Sequence, residues 1–163
     1  MKALCIGFSL TGNNVFALKI ISRELKCELE VLGPVKPYPP IRKGSVLGIL
    51  STAFRSFINP YPKLKPLKHD LNDFDLIVLG GPAWADSPSA PLKSFVRGNE
   101  LDDKKVAVFM VNGTGSNVPL EKLVSSLESA GAEVVLGAVV KDALIREIIA
   151  GKAMSFAEQL KRL

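Results

Sequence analysis

Residues 8–16 read Phe-Ser-Leu-Thr-Gly-Asn-Asn-Val-Phe, and they are the most informative stretch of the chain. They follow an apolar run over residues 2–8 and lead into apolar residues at helical spacing, which predicts a strand, a tight turn and a helix. Amide N–H groups at a helix N-terminus have no partner within the helix and attract anions. Small and polar residues line the turn: Ser9, Thr11, Gly12, Asn13 and Asn14. The stretch therefore predicts a phosphate-binding turn, with simple helix capping as the alternative.

Four further apolar runs, separated by helical patterns, follow along the chain. The predicted strands are residues 2–8, 28–32, 75–80, 105–111 and 133–140. The predicted helices are residues 13–26, 91–96, a segment around 120–127, and 142–163. Strands that alternate with helices predict an α/β fold, with a doubly wound, five-stranded parallel sheet in three α/β/α layers. In such sheets ligands bind beyond the carboxyl ends of the strands, where the strand order reverses.

The segment from Ser9 to Asn14 resembles the Ser/Thr-x-Thr-Gly-Asn-Thr loop with which flavodoxins hold the phosphate of FMN. Asn14 stands where a threonine is usual, and its side-chain amide is expected to donate to the phosphate instead. The loop has no lysine or arginine, so it differs from the phosphate loop of nucleoside triphosphatases. The resemblance implies a flavodoxin-like fold with strand order 2-1-3-4-5 and FMN as the cofactor.

The loop after the third predicted strand contains the only tryptophan of the chain. The residues expected to touch the cofactor there are Pro82, Ala83, Trp84, Ala85 and Asp86. This loop resembles the second flavin-binding loop of flavodoxin-like proteins, in which an aromatic side chain covers one face of the isoalloxazine ring. In the alternative interpretation, Trp84 fills the end of the sheet or a subunit contact. The resemblance places the Ala85–Asp86 turn near N5 of the ring, where Asp86 would disfavour an anionic reduced flavin.

A third Gly-rich loop follows the fourth predicted strand. Its candidate cofactor-binding residues are Asn112, Gly113, Thr114 and Gly115. Flavodoxins use the loop at this position to hydrogen-bond the pyrimidine edge of the ring through backbone groups. Because the cofactor itself carries the electron-transfer chemistry, no catalytic side chain is predicted.

Composition limits the other kinds of chemistry. His69 is the only histidine, and Cys5 and Cys27 lie outside any metal-ligand spacing, so no metal site is predicted. No apolar run approaches the roughly 20 residues of a membrane span, and the first strand begins at once, without a signal peptide. We expect a cytoplasmic protein that forms one domain over residues 1–163 and keeps two buried thiols.

The net charge of +5 is concentrated in a Pro-rich segment at about residues 33–70. This basic segment holds seven basic residues against Asp70 alone, and seven of the eleven prolines. Such a local patch argues against a general nucleic-acid-binding surface. Within it, residues 46–58 predict a short amphipathic helix between two arms. In the simplest interpretation this helix is only the crossover between two strands. In the functional interpretations it is a lid over the flavin, a homodimer contact, a docking patch for an acidic partner, or a membrane-surface contact.

Three functions fit the sequence. The first is an FMN-binding electron carrier that exchanges electrons with a redox partner protein. The second is an NAD(P)H-dependent flavin or quinone reductase, in which Arg42, Lys43 and Arg55 would hold the phosphates of the nicotinamide dinucleotide. The third is a flavin-free binding or regulatory module that keeps the fold.

Overall fold

The computed structural model describes residues 1–38, 48, 54, 58–141 and 146–163. In chain order its strands are β1 (Ala3–Gly7), β2 (Glu28–Val31), β3 (Leu76–Gly80), β4 (Ala83–Trp84), β5 (Ser87–Pro88), β6 (Lys105–Asn112) and β7 (Glu133–Lys141). The α-helices of the described residues are α1 (Asn13–Leu25), α2 (Ala90–Gly98), α3 (Val118–Ser129) and α4 (Arg146–Leu160). The long elements agree with the predicted ones to within a few residues, whereas the short strands β4 and β5 were not predicted.

Five of these strands form one parallel sheet in the order β2-β1-β3-β6-β7. Counted over the long strands this is the order 2-1-3-4-5, so the predicted flavodoxin-like topology is confirmed. The chain runs from β1 to β2 on one side of β1 and then returns to β3 on its other side. The strand order therefore reverses between β1 and β3, which is where a ligand site is expected.

Two hydrophobic clusters cover the two faces of the sheet. Ile6 of β1 belongs to the cluster that contains Phe95 of α2 and the buried leucines of α3. Its neighbour Cys5 belongs to the opposite cluster, with Leu18 of α1 and Phe156 of α4. Side chains alternate between the faces because the strand repeat is two residues. Helices on both faces explain why the strand sequences are almost continuously apolar.

The described parts of the basic segment, residues 33–38 and 58–70, run antiparallel to each other beside the end of β2. Pro34 forms an antiparallel β-bridge with Leu64. The amide N–H of Lys65 donates to the carbonyl oxygen of Gly33 at 2.8 Å. The first arm, residues 33–38, and the second arm, residues 58–70, are therefore joined to each other by backbone hydrogen bonds.

His69 anchors the second arm to β2. Its Nδ1 lies 2.7 Å from Glu30 Oε2, and its Nε2 lies 2.8 Å from Glu28 Oε2. The amide N–H of Lys68 also donates to Glu30, at 2.7 Å. The hydrogen bonds to Glu30 and then to Glu28 raise the pKa of His69. Since the Glu30 side chain is buried, a protonated imidazole compensates a carboxylate that has lost its water.

Two sequence predictions fall outside the described residues. They are most of the short helix of residues 46–58 and the start of the last helix at residues 142–145. Among the helices that the structure describes, none is long and apolar enough to cross a membrane.

Candidate functional site

The three loops predicted to bind the cofactor leave the same edge of the sheet, because β1, β3 and β6 are parallel neighbours. Gly7 and Gly80, the last residues of β1 and β3, lie opposite each other in the sheet. A Cβ atom on Gly7 would collide with the carbonyl oxygen of Gly80 and with the side chain of Leu18. Glycine is therefore required at this point, and its absence of a side chain lets the two loops start close together.

The first loop, residues 8–14, is organised by the hydroxyl of Ser9. Ser9 Oγ accepts hydrogen bonds from the amide N–H of Gly12 at 2.9 Å and of Asn14 at 3.2 Å. Gly12 has a left-handed φ of 92° and directly precedes α1, a conformation that favours glycine. These hydrogen bonds fix the turn at the start of a 13-residue helix, whose N-terminus attracts anions.

Thr11 supplies the donors of the first loop that remain available. It is exposed, and within the described part of the chain neither its amide nor its hydroxyl makes a hydrogen bond. A Cβ atom placed on Gly12 would meet no heavy atom of the described residues within 4 Å. The free donors of Thr11, with no acidic side chain in residues 8–14, fit a phosphate monoester.

The side chain of Asn14 connects the first loop to β6. Only 3% of it is exposed. Its Nδ2 donates to the carbonyl oxygen of Val111 at 2.9 Å, and its Oδ1 accepts from the amide of Val111 at 2.8 Å. Both ends of the side chain thus bond to β6, and they join the first loop to the start of the third loop. Asn13 is buried as well, and it is the first residue of α1.

The second loop is a tight hairpin formed by β4 and β5, residues 83–88. Trp84 pairs with Ser87, and the turn between them consists of Ala85 and Asp86. These two residues have φ values of 49° and 52°, which this type of two-residue hairpin needs. Glycine adopts them most easily, Asp less easily, and Ala only with strain. The carbonyl oxygen of Asp86 accepts a hydrogen bond from Lys122 Nζ at 2.8 Å, which ties the turn to α3.

Trp84 is half-buried and forms an aromatic cluster with Phe8 and Tyr38. Its ring centroid lies 5.8 Å from that of Phe8 and 5.1 Å from that of Tyr38, both in edge-to-face geometry. Phe8 and Tyr38 also contact each other, at 5.9 Å. Trp84 therefore packs against Phe8 and Tyr38 at the carboxyl end of the sheet and remains partly exposed.

Sequence reasoning missed Tyr38, which the first arm carries from the end of β2 to the aromatic cluster. Its only signal was an aromatic residue between two prolines, shortly after a predicted strand. It also missed Lys122, which no local pattern connects to a loop 36 residues away. Burial, and then the neighbouring charge of Lys122, lower the pKa of Lys93 on α2. Two cations consequently lie near each other beside the second loop.

The conformation of the third loop is held by hydrogen bonds to the buried side chain of Asn112. Its Oδ1 accepts from the amide of Gly115 at 2.5 Å, and its Nδ2 donates to the carbonyl oxygen of Ser116 at 3.0 Å. Gly115 has a φ of 73°, whereas Gly113 and Thr114 are exposed. Asn112 thus holds the turn, and the backbone of residues 113–115 is left to meet a ligand.

The comparisons with known proteins agree with this geometry. The family model of the NADPH-dependent FMN reductases matches residues 1–143. No curated protein matches the chain.

Several solved structures share the fold. A protein from Bacteroides eggerthii has a TM-score of 0.74 at 21% identity, covering 96% of this chain and 98% of its own. A flavoprotein from Lactobacillus acidophilus, in complex with FMN, has a TM-score of 0.68 at 19% identity, over 85% of this chain and 92% of its own. Flavodoxin 1 from Bacillus cereus has a TM-score of 0.61 at 24% identity, over 100% of this chain and 99% of its own.

These similarities confirm the predicted flavodoxin-like fold, and the family match confirms the prediction of a flavoprotein with FMN as its cofactor. The match covers all three loops at the carboxyl edge of the sheet. The chain belongs to the family of the NADPH-dependent FMN reductases.

Proposed function

We propose that this protein holds FMN across the three loops at the carboxyl edge of its sheet and uses NADPH to reduce it. The observation that carries the proposal is the first loop, in which the donors of Thr11, unpaired among the described residues, lie beside the N-terminus of α1. When bound, FMN supplies the hydride-accepting chemistry. The chain supplies the binding and orientation.

Each loop has a separate task in this proposal. The backbone amide of Thr11 and the hydroxyls of Ser9 and Thr11 bind the phosphate at the N-terminus of α1. Trp84, fixed by its contacts with Phe8 and Tyr38, lies against the ring and limits the entry of water. The backbone of residues 113–115 meets the pyrimidine edge, because Asn112 already uses its side chain within the loop.

The surroundings of the second loop support a dinucleotide substrate with negative charge. Lys93 and Lys122 lie beside the hairpin on neighbouring helices. In the described residues no ion pair with an acidic side chain is found for either. Cations without an acidic partner raise the local concentration of a phosphate-bearing substrate. In this proposal Lys93 and Lys122 attract the substrate's phosphates, whereas FMN and NADPH carry the proton and electron chemistry.

An anaerobic reduction experiment tests this function. Purified protein is reconstituted with FMN, and its visible flavin absorbance is followed after addition of NADPH, with NADH as the second donor. Rapid bleaching by NADPH is expected. A flavin that stays oxidised with both nucleotides, but is reduced by dithionite, would contradict the reductase function while leaving FMN binding intact.

The second candidate is an electron carrier, which one surface feature favours. A cavity of about 540 Å³ lies between the second arm and α2, and its charged lining residues are Lys63, Lys65 and Arg97. The guanidinium of Arg97 also lies 4.6 Å from the centroid of the Tyr61 ring. Such a basic surface suits an acidic redox partner, whose association would slow at high ionic strength. The same anaerobic experiment separates the two, since a carrier needs its partner for reduction.

A further inference from the structure

Two free thiols lie side by side where the α1–β2 turn meets β1. The Sγ atoms of Cys5 and Cys27 are 3.7 Å apart, although the residues are separated by 22 positions in sequence. The parallel pairing of β1 with β2, in which Cys5 lies opposite Leu29, brings them together. Cys5 is fully buried, whereas Cys27 is partly exposed. One thiol is therefore open to a solute and the other is not.

The two thiols also differ in acidity. The hydrogen bond from Cys5 lowers the pKa of Cys27, against an opposing effect of partial burial. The same hydrogen bond, followed by burial, raises the pKa of Cys5. A partly exposed sulfur with thiolate character is the usual attacking group in thiol–disulfide exchange, and a neighbouring thiol is the usual resolving group.

We propose that Cys5 and Cys27 form a dithiol site that reacts with small-molecule disulfides, with Cys27 as the attacking thiol and Cys5 as the resolving thiol. The Cys27 thiolate attacks one sulfur of glutathione disulfide, forms a mixed disulfide and releases one glutathione thiolate, which takes up the proton that Cys27 lost. Cys5 then loses its proton and attacks Cys27 Sγ, which closes the Cys5–Cys27 bond and releases the second glutathione.

The balance is one protein dithiol and one glutathione disulfide converted into one protein disulfide and two glutathiones. Two electrons pass from the protein sulfurs to the glutathione sulfurs. Closure requires the sulfurs to approach from 3.7 Å to a bond length of about 2.05 Å. Once Cys27 carries the glutathionyl group it is no longer an anion, so the hydrogen bond that held the proton on Cys5 is weakened. The reaction uses no flavin and is independent of the FMN site.

A plain packing role predicts a different outcome. Free cysteines often serve only as small apolar side chains, and Cys5 alone would fit that description in its hydrophobic cluster. Thiols with only a packing role would stay unreactive in the folded protein, or the partly exposed Cys27 would accept a glutathionyl group and keep it. The site proposed here instead loses both thiols and keeps no adduct.

The test is incubation of the reduced, folded protein with an excess of glutathione disulfide. We expect two glutathiones released per protein, loss of both protein thiols, and an intact mass lower by about 2 Da because two hydrogens leave. Tryptic digestion without reductant is expected to give the peptide of residues 3–19 joined to the peptide that begins at Cys27. A persistent glutathionyl adduct on the wild-type protein, or two thiols that remain free until denaturant is added, would overturn the proposal.

Two variants assign the roles. Cys5→Ala is expected to hold one stable glutathionyl group on Cys27, because the resolving thiol is gone. Cys27→Ala is expected to be unreactive while folded, because Cys5 is buried. Rapid modification of Cys5 in that variant would contradict the proposed order. If Cys5→Ala does not fold, the linked peptides from the wild-type protein decide the question without it.

Discussion

The first loop and the hairpin of β4 and β5 border the same site, yet they are built in opposite ways. The first loop is fixed by hydrogen bonds: Ser9 holds two of its amides, and Asn14 joins it to β6. The hairpin is fixed by an aromatic contact and a strained turn, through Trp84 and two left-handed residues. In the proposed function, the phosphate end of the site therefore depends on a hydrogen-bonded loop, and the ring end depends on one side chain.

The largest effect is expected from removal of the link between the first loop and β6. Asn14→Ala leaves the buried N–H and C=O of Val111 without partners. Each unsatisfied group costs about 1–3 kcal/mol, so the free energy of unfolding should fall by about 2–6 kcal/mol. Urea unfolding of the flavin-free protein measures it. The matched control is Asn99→Ala, which loses one partly buried hydrogen bond to Phe95 and should cost about 1 kcal/mol. Equal costs would show that Asn14 does not anchor the loop.

The next effect separates the two ends of the cofactor. Ser9→Ala removes a hydroxyl that would donate to the charged phosphate, so FMN affinity should fall by about 1.5 kcal/mol or more, roughly tenfold. Riboflavin, which lacks the phosphate, should bind the variant and the wild-type protein equally well. Fluorescence titrations with both flavins measure this. A parallel loss for riboflavin would place Ser9 at the ring rather than at the phosphate.

The hairpin should show the reverse pattern. Trp84→Ala removes an aromatic stacking surface worth about 0.5–1.5 kcal/mol beyond its area, so the affinities for FMN and for riboflavin should fall together by roughly 3–10-fold. Trp84→Phe keeps an aromatic plane and should recover part of the loss. Titrations with the same two flavins provide the readout. A selective loss of FMN alone would contradict the division of tasks between the two loops.

A smaller effect concerns the strain in the turn. Ala85 has a φ of 49°, which costs a non-glycine residue about 1 kcal/mol or more, so Ala85→Gly should raise the free energy of unfolding by about 0.5 kcal/mol after the entropy of glycine is subtracted. Ala130, with a φ of −93° after α3, is the control. Ala130→Gly should destabilise the protein by about 0.5–1 kcal/mol. If Ala85→Gly were also destabilising, the turn would not be strained.

The smallest effect is expected outside both loops, where His69 of the second arm contacts Glu28 and Glu30 of β2. Glu30 and Glu28 raise the pKa of His69, so the stability that this pairing contributes is fully present below the unfolded pKa of about 6.5. It is lost as the pH rises through the higher folded pKa. The difference in unfolding free energy between the wild-type protein and His69→Gln should therefore shrink over that interval. A difference that grows with pH would reverse the assigned sign.

The sequence predicts the elements well and the contacts between them poorly. Apolar runs such as residues 76–80 and the helix start at Asn13 follow from local periodicity, and the strand order follows from the resemblance of the first loop to flavodoxins. The bonds of Asn14 to Val111 could not be predicted, because Val111 lies 97 residues away on a strand that only the folded sheet brings near. The contact of Tyr38 with Trp84 and the proximity of Cys5 to Cys27 could not be predicted either, because each joins residues that are distant in sequence. Side chains that act across elements leave no local pattern.

The most direct test of the central claim is a paired titration of the flavin-free wild-type protein with FMN and with riboflavin, followed through the fluorescence of Trp84. The division of tasks between the two loops predicts one-to-one binding of both flavins, with quenching of Trp84 and an FMN affinity at least about tenfold higher, since the phosphate adds charge-assisted hydrogen bonds. Equal affinities for the two flavins, or no binding of FMN, would contradict a phosphate site in the first loop.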